Sequence, residues 1–204
     1  MNLITVMHPA SAAAEAYRTL RTNLHFASLE RPLKTVLITA SEAGEGKSHV
    51  VANLAVVFAQ AERRVVVVDA DLRSPAQHTL FGLDNARGLS TALLGEDGAP
   101  FLQSTSIKGL RVLTSGPEQG NPSDLVYSSR MGAVLAAIAA DTDIVLIDTP
   151  PLGAISDAAI LASQVDGALL VIAAGKTRRE HAQAARDTLQ RARAHVLGAV
   201  MINV

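Results

Sequence analysis

The sequence predicts an α/β fold of three layers, a mainly parallel central sheet with helices packed over it. The first reason is a set of short aliphatic runs that recur along the 204 residues. They are continuous rather than alternating, the pattern of strands buried on both faces. The second is the Ala- and Leu-rich segments of helical length between them, because strand–helix alternation implies a parallel sheet covered by helices. The third is composition: 49% hydrophobic and 18% charged residues can bury a sizeable core. At about 150 residues per domain the length suits one domain over 1–204.

The elements follow in order. Residues 11–28 read as a separate N-terminal helix, with Ser11 placed to cap it and Glu15 in its first turns. Tyr17, Leu20 and Leu24 fall at i, i+3 and i+7 and make one apolar face. Pro32 ends this helix before the first strand, Val36–Thr39. A helix over Ser48–Ala61 leads to a strand at Val65–Val68. Gly82–Pro122 is rich in Gly, Ser and Pro and predicts loops with a short helix or two, with Leu110–Thr114 as a further strand. Then come a helix over Ser123–Ala140, strands at Ile144–Ile147 and Ala168–Ala173, a helix over Thr177–Ala194 and a last strand at Val196–Ile202.

Charge and cysteine count remove several function classes. A formal net charge of -1 excludes a strongly basic nucleic-acid binder and gives no general attraction to anionic membranes. Zero Cys excludes disulfide frameworks, thiolate zinc sites, iron–sulfur clusters and Cys nucleophiles, and it fits the cytoplasm. The N-terminal MNLITVMHPA has neither the basic region nor the long apolar region of a secretory leader. The longest apolar stretches, such as that around Leu169, reach about half the ~20 residues of a spanning helix. Membrane attachment is therefore expected through a partner. His78, His181 and His195 have no metal-like spacing and are expected on the surface or in the core.

The chemistry concentrates after the first strand. Ala40-Ser41-Glu42-Ala43-Gly44-Glu45-Gly46-Lys47-Ser48 matches the phosphate-cradling pattern G-x-x-x-x-G-K-S/T, with Ser41 in place of the first Gly. Gly44 and Gly46 let the backbone wrap a phosphate with successive N–H groups pointing inward. The helix that follows adds its positive dipole end. Lys47 is placed to reach β/γ oxygens, and the Ser48 hydroxyl to ligand Mg²⁺. The candidate nucleotide cradle is Ala43, Gly44, Glu45, Gly46, Lys47, Ser48 and His49, with ATP and Mg²⁺ as cofactors.

Two other strands end in acids: Val68-Asp69-Ala70-Asp71-Leu72-Arg73 and Ile147-Asp148-Thr149-Pro150-Pro151. In a parallel sheet ligands sit beyond the carboxyl ends of the strands, so Asp69, Asp71 and Asp148 are expected to converge on the loop. Three carboxylates beside a triphosphate require a divalent cation to offset their charge. The acids then divide the work: Asp71 as the base for an attacking hydroxyl, Asp69 and Asp148 with Ser48 on the metal side, a split the sequence does not fix. The alternative is that each Asp caps the helix or turn after its strand. Arg73 either neutralises phosphate or pairs with a carboxylate. Asp157 is expected to cap the helix after Pro151 rather than approach the site, and Tyr17 and Tyr127 are expected to pack.

Taken together these residues resemble the catalytic domain of bacterial tyrosine kinases (BY-kinases) of the capsular and exopolysaccharide type. The likeness runs from Glu15-Ala16-Tyr17-Arg18-Thr19-Leu20-Arg21 through the phosphate loop, Asp69–Arg73, Pro75-Ala76-Gln77-His78, Gly88-Leu89-Ser90 and Asn121-Pro122-Ser123 to Asp148–Pro151, Ser156-Asp157-Ala158 and Asp166-Gly167. The resemblance implies ATP-dependent phosphorylation of protein tyrosines, often between the subunits of a ring, in polymerisation and export of surface polysaccharide. It implies that Glu15, Arg18 and Arg21 form an oligomerisation element; helix spacing alone allows an internal Glu15–Arg18 pair instead. It implies that Asn203 contacts the base. It also implies activation by the cytoplasmic tail of a membrane polysaccharide co-polymerase adaptor, hence a cytoplasmic protein recruited to the inner face of the cell membrane. The chain departs from the family at Ala43, where Pro is common, and at His49, where Thr is common. It also lacks the family's C-terminal tyrosine cluster, having only Tyr17 and Tyr127. Two alternatives stand beside the kinase. One is a positioning ATPase resembling the partition and septum-site proteins, whose extra loop Lys is Glu42 here. The other is a non-catalytic nucleotide-binding regulatory module.

Overall fold

A computed structural model describes residues 2–95, 100–153 and 156–203. Its elements are α1 (Ile4–Met7), α2 (Ala12–Glu30), β1 (Thr35–Ala40), α3 (Lys47–Gln60), β2 (Val65–Asp69), α4 (Gln77–Phe81), α5 (Leu89–Leu94) and β3 (Gln103–Ser104). They continue with β4 (Leu110–Leu113), α6 (Pro122–Tyr127), α7 (Ser129–Ala140), β5 (Ile144–Asp148), α8 (Asp157–Ala162), β6 (Gly167–Ala173), α9 (Arg179–Arg191) and β7 (Val196–Ile202).

The seven strands form one sheet in the order β3-β4-β2-β5-β1-β6-β7. Every neighbouring pair is parallel except β3 with β4. Strand alternation divides the core between the two faces. Leu37, Val66, Val68, Val145 and Ile147 join one apolar cluster, while Val36, Ile38, Val65, Val67, Ile144 and Leu146 join the other. This is why the strands read as unbroken aliphatic runs. On the second face α3 lies between the sheet and α2, and its residues Val50 to Ala59 are all buried. A helix covered on every side needs no polar stripe, and its sequence has almost none. Thr5 of α1 ties down the outer layer, donating both its N–H and its hydroxyl to Asn53 Oδ1 of α3.

Several boundaries differ from the sequence expectation. Ser11 caps α2 as expected, accepting from the Ala14 N–H at 3.1 Å. The helix expected over Ser123–Ala140 is two, broken at Ser128, whose φ of −63° and ψ of 149° are extended. Strand β3, antiparallel to β4, lies in the stretch where Leu110–Thr114 is the one strand expected. The last run, Val196–Ile202, is not buried on both faces. It is the sheet edge, half-exposed along its length, with Met201 70% exposed. Among the described residues no helix is long and apolar enough to cross a membrane.

Asp166 pins the base of the sheet. Its Oδ2 accepts from the N–H groups of Lys34 and Thr35 and from the Thr35 hydroxyl, at 2.9, 2.8 and 2.9 Å. Burial pushes its pKa up, but the donors from Thr35 and Lys34 outweigh that and hold it below the usual carboxylate range. A depressed folded pKa gives stability that is complete above the unfolded value, about 3.9, and is lost as pH falls through the folded one. Asp166→Asn is therefore expected to cost about 1 kcal/mol at pH 7, the carboxylate being partly solvated. The difference from the parent is expected to shrink at about pH 3. Urea unfolding at the two pH values checks both.

Candidate functional site

β1 lies between β5 and β6, with Ile38 opposite Asp148 on one side and Asp69 opposite Asp148 across β2 and β5. The carboxyl ends of β1, β2 and β5 therefore open at one place, and the chain reverses its direction across the sheet at β1. The loop after β1 carries Gly44 at φ +76° and Gly46 at φ +72°, left-handed backbone that favours glycine. Gly46 is the N-cap of α3 and has no side chain to occupy the first-turn N–H groups, which are left open to an anion.

Lys47 and two of the expected aspartates meet in this crevice. The Lys47 Nζ donates to Asp71 Oδ2 at 2.7 Å, Asp148 Oδ1 at 3.3 Å and Ser48 Oγ at 3.3 Å. Exposure of these side chains is low: 11% for Lys47, 4% for Asp71 and none for Asp148. Burial opposes the charge on Lys47, but Asp148 and Asp71 outweigh it and hold the ammonium above its usual pKa. Burial raises Asp148, against the pull of Lys47 and donors from Gln77 and Ser48.

Asp69 is in a different position. Its Oδ2 accepts from the N–H groups of Ala76 and Gln77 at 3.0 and 2.9 Å, and its Oδ1 from the Asp71 N–H at 3.3 Å. It caps the start of α4, one of the two roles open to it from sequence. Burial raises its pKa well above the usual range, and the charge of Asp148 adds to that.

Gln77 was not among the sequence candidates. It is fully buried, and its Nε2 donates to Asp148 Oδ2 at 2.7 Å and to the Ser48 carbonyl at 3.1 Å. Its Oε1 is buried without a protein partner. A neutral amide gives no sequence signal of chemistry, and this one reaches the site only because α4 turns back over β2 and β5. Gln77→Leu removes the donor to the buried Asp148 Oδ2, at a cost of about 2 kcal/mol. It is expected to raise the Mg²⁺ concentration that half-saturates nucleotide binding, which a fluorescent-nucleotide titration against Mg²⁺ checks.

These groups fit a nucleotide with Mg²⁺. The donors are hard oxygens, Ser48 Oγ with Asp148, and the unpaired Gln77 Oε1 is an acceptor that suits a metal-bound water. Among the described residues no group of three His, Cys, Asp or Glu side chains could hold a metal by itself. Phosphate oxygens and water would therefore complete the shell, as Mg²⁺ prefers.

Other sequence candidates lie at the rim or away from the crevice. Arg73 pairs with a carboxylate: its Nη2 donates to Ser123 Oγ at 2.9 Å and its Nε lies 3.5 Å from Asp157 Oδ2. Asp157 is not a helix cap, contrary to expectation; it is buried and accepts from Ser123 Oγ at 2.7 Å. Asn203 is exposed just past the carboxyl end of β7. Ala43 and His49 are exposed on the loop and the first turn of α3. On α2, Glu15 and Arg18 pair with each other at 2.6 Å, and Arg21 donates to the Val57 carbonyl at 2.7 Å. Tyr17 packs against the second core cluster as expected. Tyr127 does not pack; it is 73% exposed at the end of α6, where the chain breaks into α7.

A parallel sheet with a glycine loop and a Lys-Ser pair at the start of the helix after β1, and acids at the ends of β2 and β5, defines a P-loop NTPase. Residues 32–203 match the ParA family model, described as NUBPL iron-transfer P-loop NTPase. The tyrosine-protein kinase YwqD of Bacillus subtilis (strain 168) is 45% identical over 201 residues, 98% of this chain and 85% of that one. The kinase domain of the Escherichia coli tyrosine kinase ETK superposes with a TM-score of 0.95 at 36% identity, covering 100% of this chain and 80% of that one. The full tyrosine-protein kinase Etk of Escherichia coli (strain K12) is matched over 28% of its length. The chimerical protein CapA2B2 superposes with a TM-score of 0.92 at 32% identity, covering 99% of this chain and 90% of that one. The chain belongs to the bacterial tyrosine-protein kinases, a branch of the ParA-like P-loop NTPases.

Proposed function

We propose that this chain is a Mg²⁺·ATP-dependent protein tyrosine kinase that regulates polymerisation and export of capsular or exopolysaccharide. The observation that supports this most is the unequal use of the two acids after β2. The Oδ2 of Asp69 is taken up by two backbone N–H groups, while the Oδ2 of Asp71 is held only by the mobile ammonium of Lys47 and is uncovered for a substrate proton when that ammonium moves away. In this reading the loop Ala43–His49 holds the phosphates, Lys47 grips the β/γ oxygens, and Ser48 and Asp148 serve the metal side. Mg²⁺ supplies neutralisation of the phosphate oxygens. As Lys47 turns from Asp71 to the phosphates, Asp71 loses its cation and becomes the acceptor of the tyrosine proton. The tyrosine oxygen bonds to the γ-phosphorus, the bond from that phosphorus to the β–γ bridging oxygen breaks, and ADP leaves. Asn203 is the candidate contact to the base. Arg73 acts on the rim by holding Asp157 and Ser123.

The partners follow from the same family reading. Glu15, Arg18 and Arg21 would exchange their present contacts for a neighbouring subunit in a ring. A membrane co-polymerase tail would recruit the protein from the cytoplasm to the membrane. Of the two tyrosines in the chain, Tyr127 is the accessible one. The test is transfer from γ-labelled ATP to a tyrosine peptide with the adaptor tail present. Phosphotyrosine above a Lys47→Ala control is expected, and none above it overturns the proposal.

A further inference from the structure

The phosphate loop contains an acid, Glu45, between the two glycines that shape it. A carboxylate there would repel a nucleotide if it faced the cradle. It is instead turned away, and Glu45 is only 2% exposed. Its Oε2 accepts from the Ser41 N–H at 2.8 Å and the Glu42 N–H at 3.0 Å. The Ser41 hydroxyl donates to its Oε1 at 2.8 Å. The fourth donor comes from 132 residues away: the Thr177 hydroxyl, in the turn between β6 and α9, also donates to Oε1. Thr177 is itself anchored, its Oγ1 accepting from the Ala173 N–H at 2.9 Å and its N–H donating to the Ala173 carbonyl at 2.9 Å. The adjacent Lys176 reaches over the loop, its Nζ donating to the Gly44 carbonyl at 3.2 Å.

We propose that Glu45 and Thr177 are positioning residues that hold the phosphate loop in its nucleotide-gripping shape by bolting it to the end of β6. The inference rests on the nucleotide-binding reading above and adds to it a second segment, the β6–α9 turn. Physically, two glycines give the loop many backbone states, and the amides aim at one point only in a few of them. Glu45 closes the loop on its own first residues, and Thr177 fixes that closed loop to the sheet. The amides are then aimed before the nucleotide arrives, so binding does not have to order them.

The shape of the network sets the test. Gln at position 45 can turn its one oxygen to the Ser41 and Glu42 N–H groups, and its amide donors to the Ser41 and Thr177 hydroxyls, which can accept. Ala can do neither. Binding of a fluorescent ADP with Mg²⁺ is measured on the full chain, alongside its melting temperature without nucleotide. Glu45→Ala is expected to weaken binding about tenfold or more, and Glu45→Gln to recover most of that, to within about threefold of the parent. Thr177→Val is expected to weaken it about threefold to tenfold, with Thr177→Ser close to the parent. Thr177→Val also keeps the test open if Glu45→Ala fails to fold. The ATP KM is expected to rise with kcat within about threefold, because the grip is the same before and during transfer. A role confined to stability would lower the melting temperature and leave the affinity of the folded protein unchanged. Parent-like affinity in both Glu45→Ala and Thr177→Val, or a loss in Glu45→Gln as large as in Glu45→Ala, overturns the inference. A parent chain that binds no ADP overturns the nucleotide reading itself.

Discussion

Replacing Lys47 by Met is expected to lower kcat/KM for phosphotransfer by about 10²–10³, the scale seen when one donor to developing transition-state charge is removed. In the proposed reading the ammonium grips the phosphates, and in the structure it holds two buried acids, Asp71 and Asp148. Its loss therefore has a second effect, on stability. Without Lys47 the folded pKa of Asp148, already raised by burial, rises further. A folded carboxylate pKa above its unfolded value means that the folded protein binds the extra proton. Stability is then highest below the unfolded pKa and falls as pH rises through the folded one. The metal-free variant is thus expected to melt at a lower temperature at pH 8 than at pH 5 by a wider margin than the parent does. Thermal melts at both pH values, beside steady-state kinetics, check the two effects separately.

Asp71→Asn is expected to act on the chemical step. Removing a general base costs about 10²–10⁴ in kcat. The ATP KM is expected to stay within about threefold of the parent, because Lys47, Ser48 and the loop amides remain. Asn keeps an oxygen that can accept from the Ser74 N–H, which bonds Asp71 Oδ1 at 3.0 Å, so the turn after β2 is expected to hold its shape. The contrast with Lys47→Met is the useful part: one variant loses grip and transfer together, the other only transfer. Parent-like transfer by Asp71→Asn would move the proton to another acceptor.

The sequence carried the parts of this site that are local in the chain. The phosphate loop was legible because its glycines, Lys47 and Ser48 are consecutive and sit between a strand and a helix. Asp71 and Asp148 were legible because strand ends in a parallel sheet converge. What was not legible depends on chain segments meeting from elsewhere. The commitment of Asp69 to Ala76 and Gln77 needs the turn that brings α4 back. The buried role of Gln77 needs the same turn. The Arg73–Ser123–Asp157 group is assembled from three separate loops, so the spacing that suggested a capping Asp157 could not reveal it. Thr177 lies 132 residues from Glu45. Two misreadings came from permissive residues. Ser128 takes extended backbone and ends α6 inside an apparently continuous helical pattern, which leaves Tyr127 in solvent rather than packed. Val196–Ile202 is as aliphatic as the buried strands, and its place at the sheet edge depends on topology.

The most direct test is a single-turnover measurement with γ-labelled ATP bound at saturation, following label into tyrosine on the parent and on Asp71→Asn. The account predicts phosphotyrosine from the parent at least about 10² faster than from the variant, with the two binding ATP alike. Equal rates, or ATP bound and cleaved by the parent with no label on tyrosine, would contradict it.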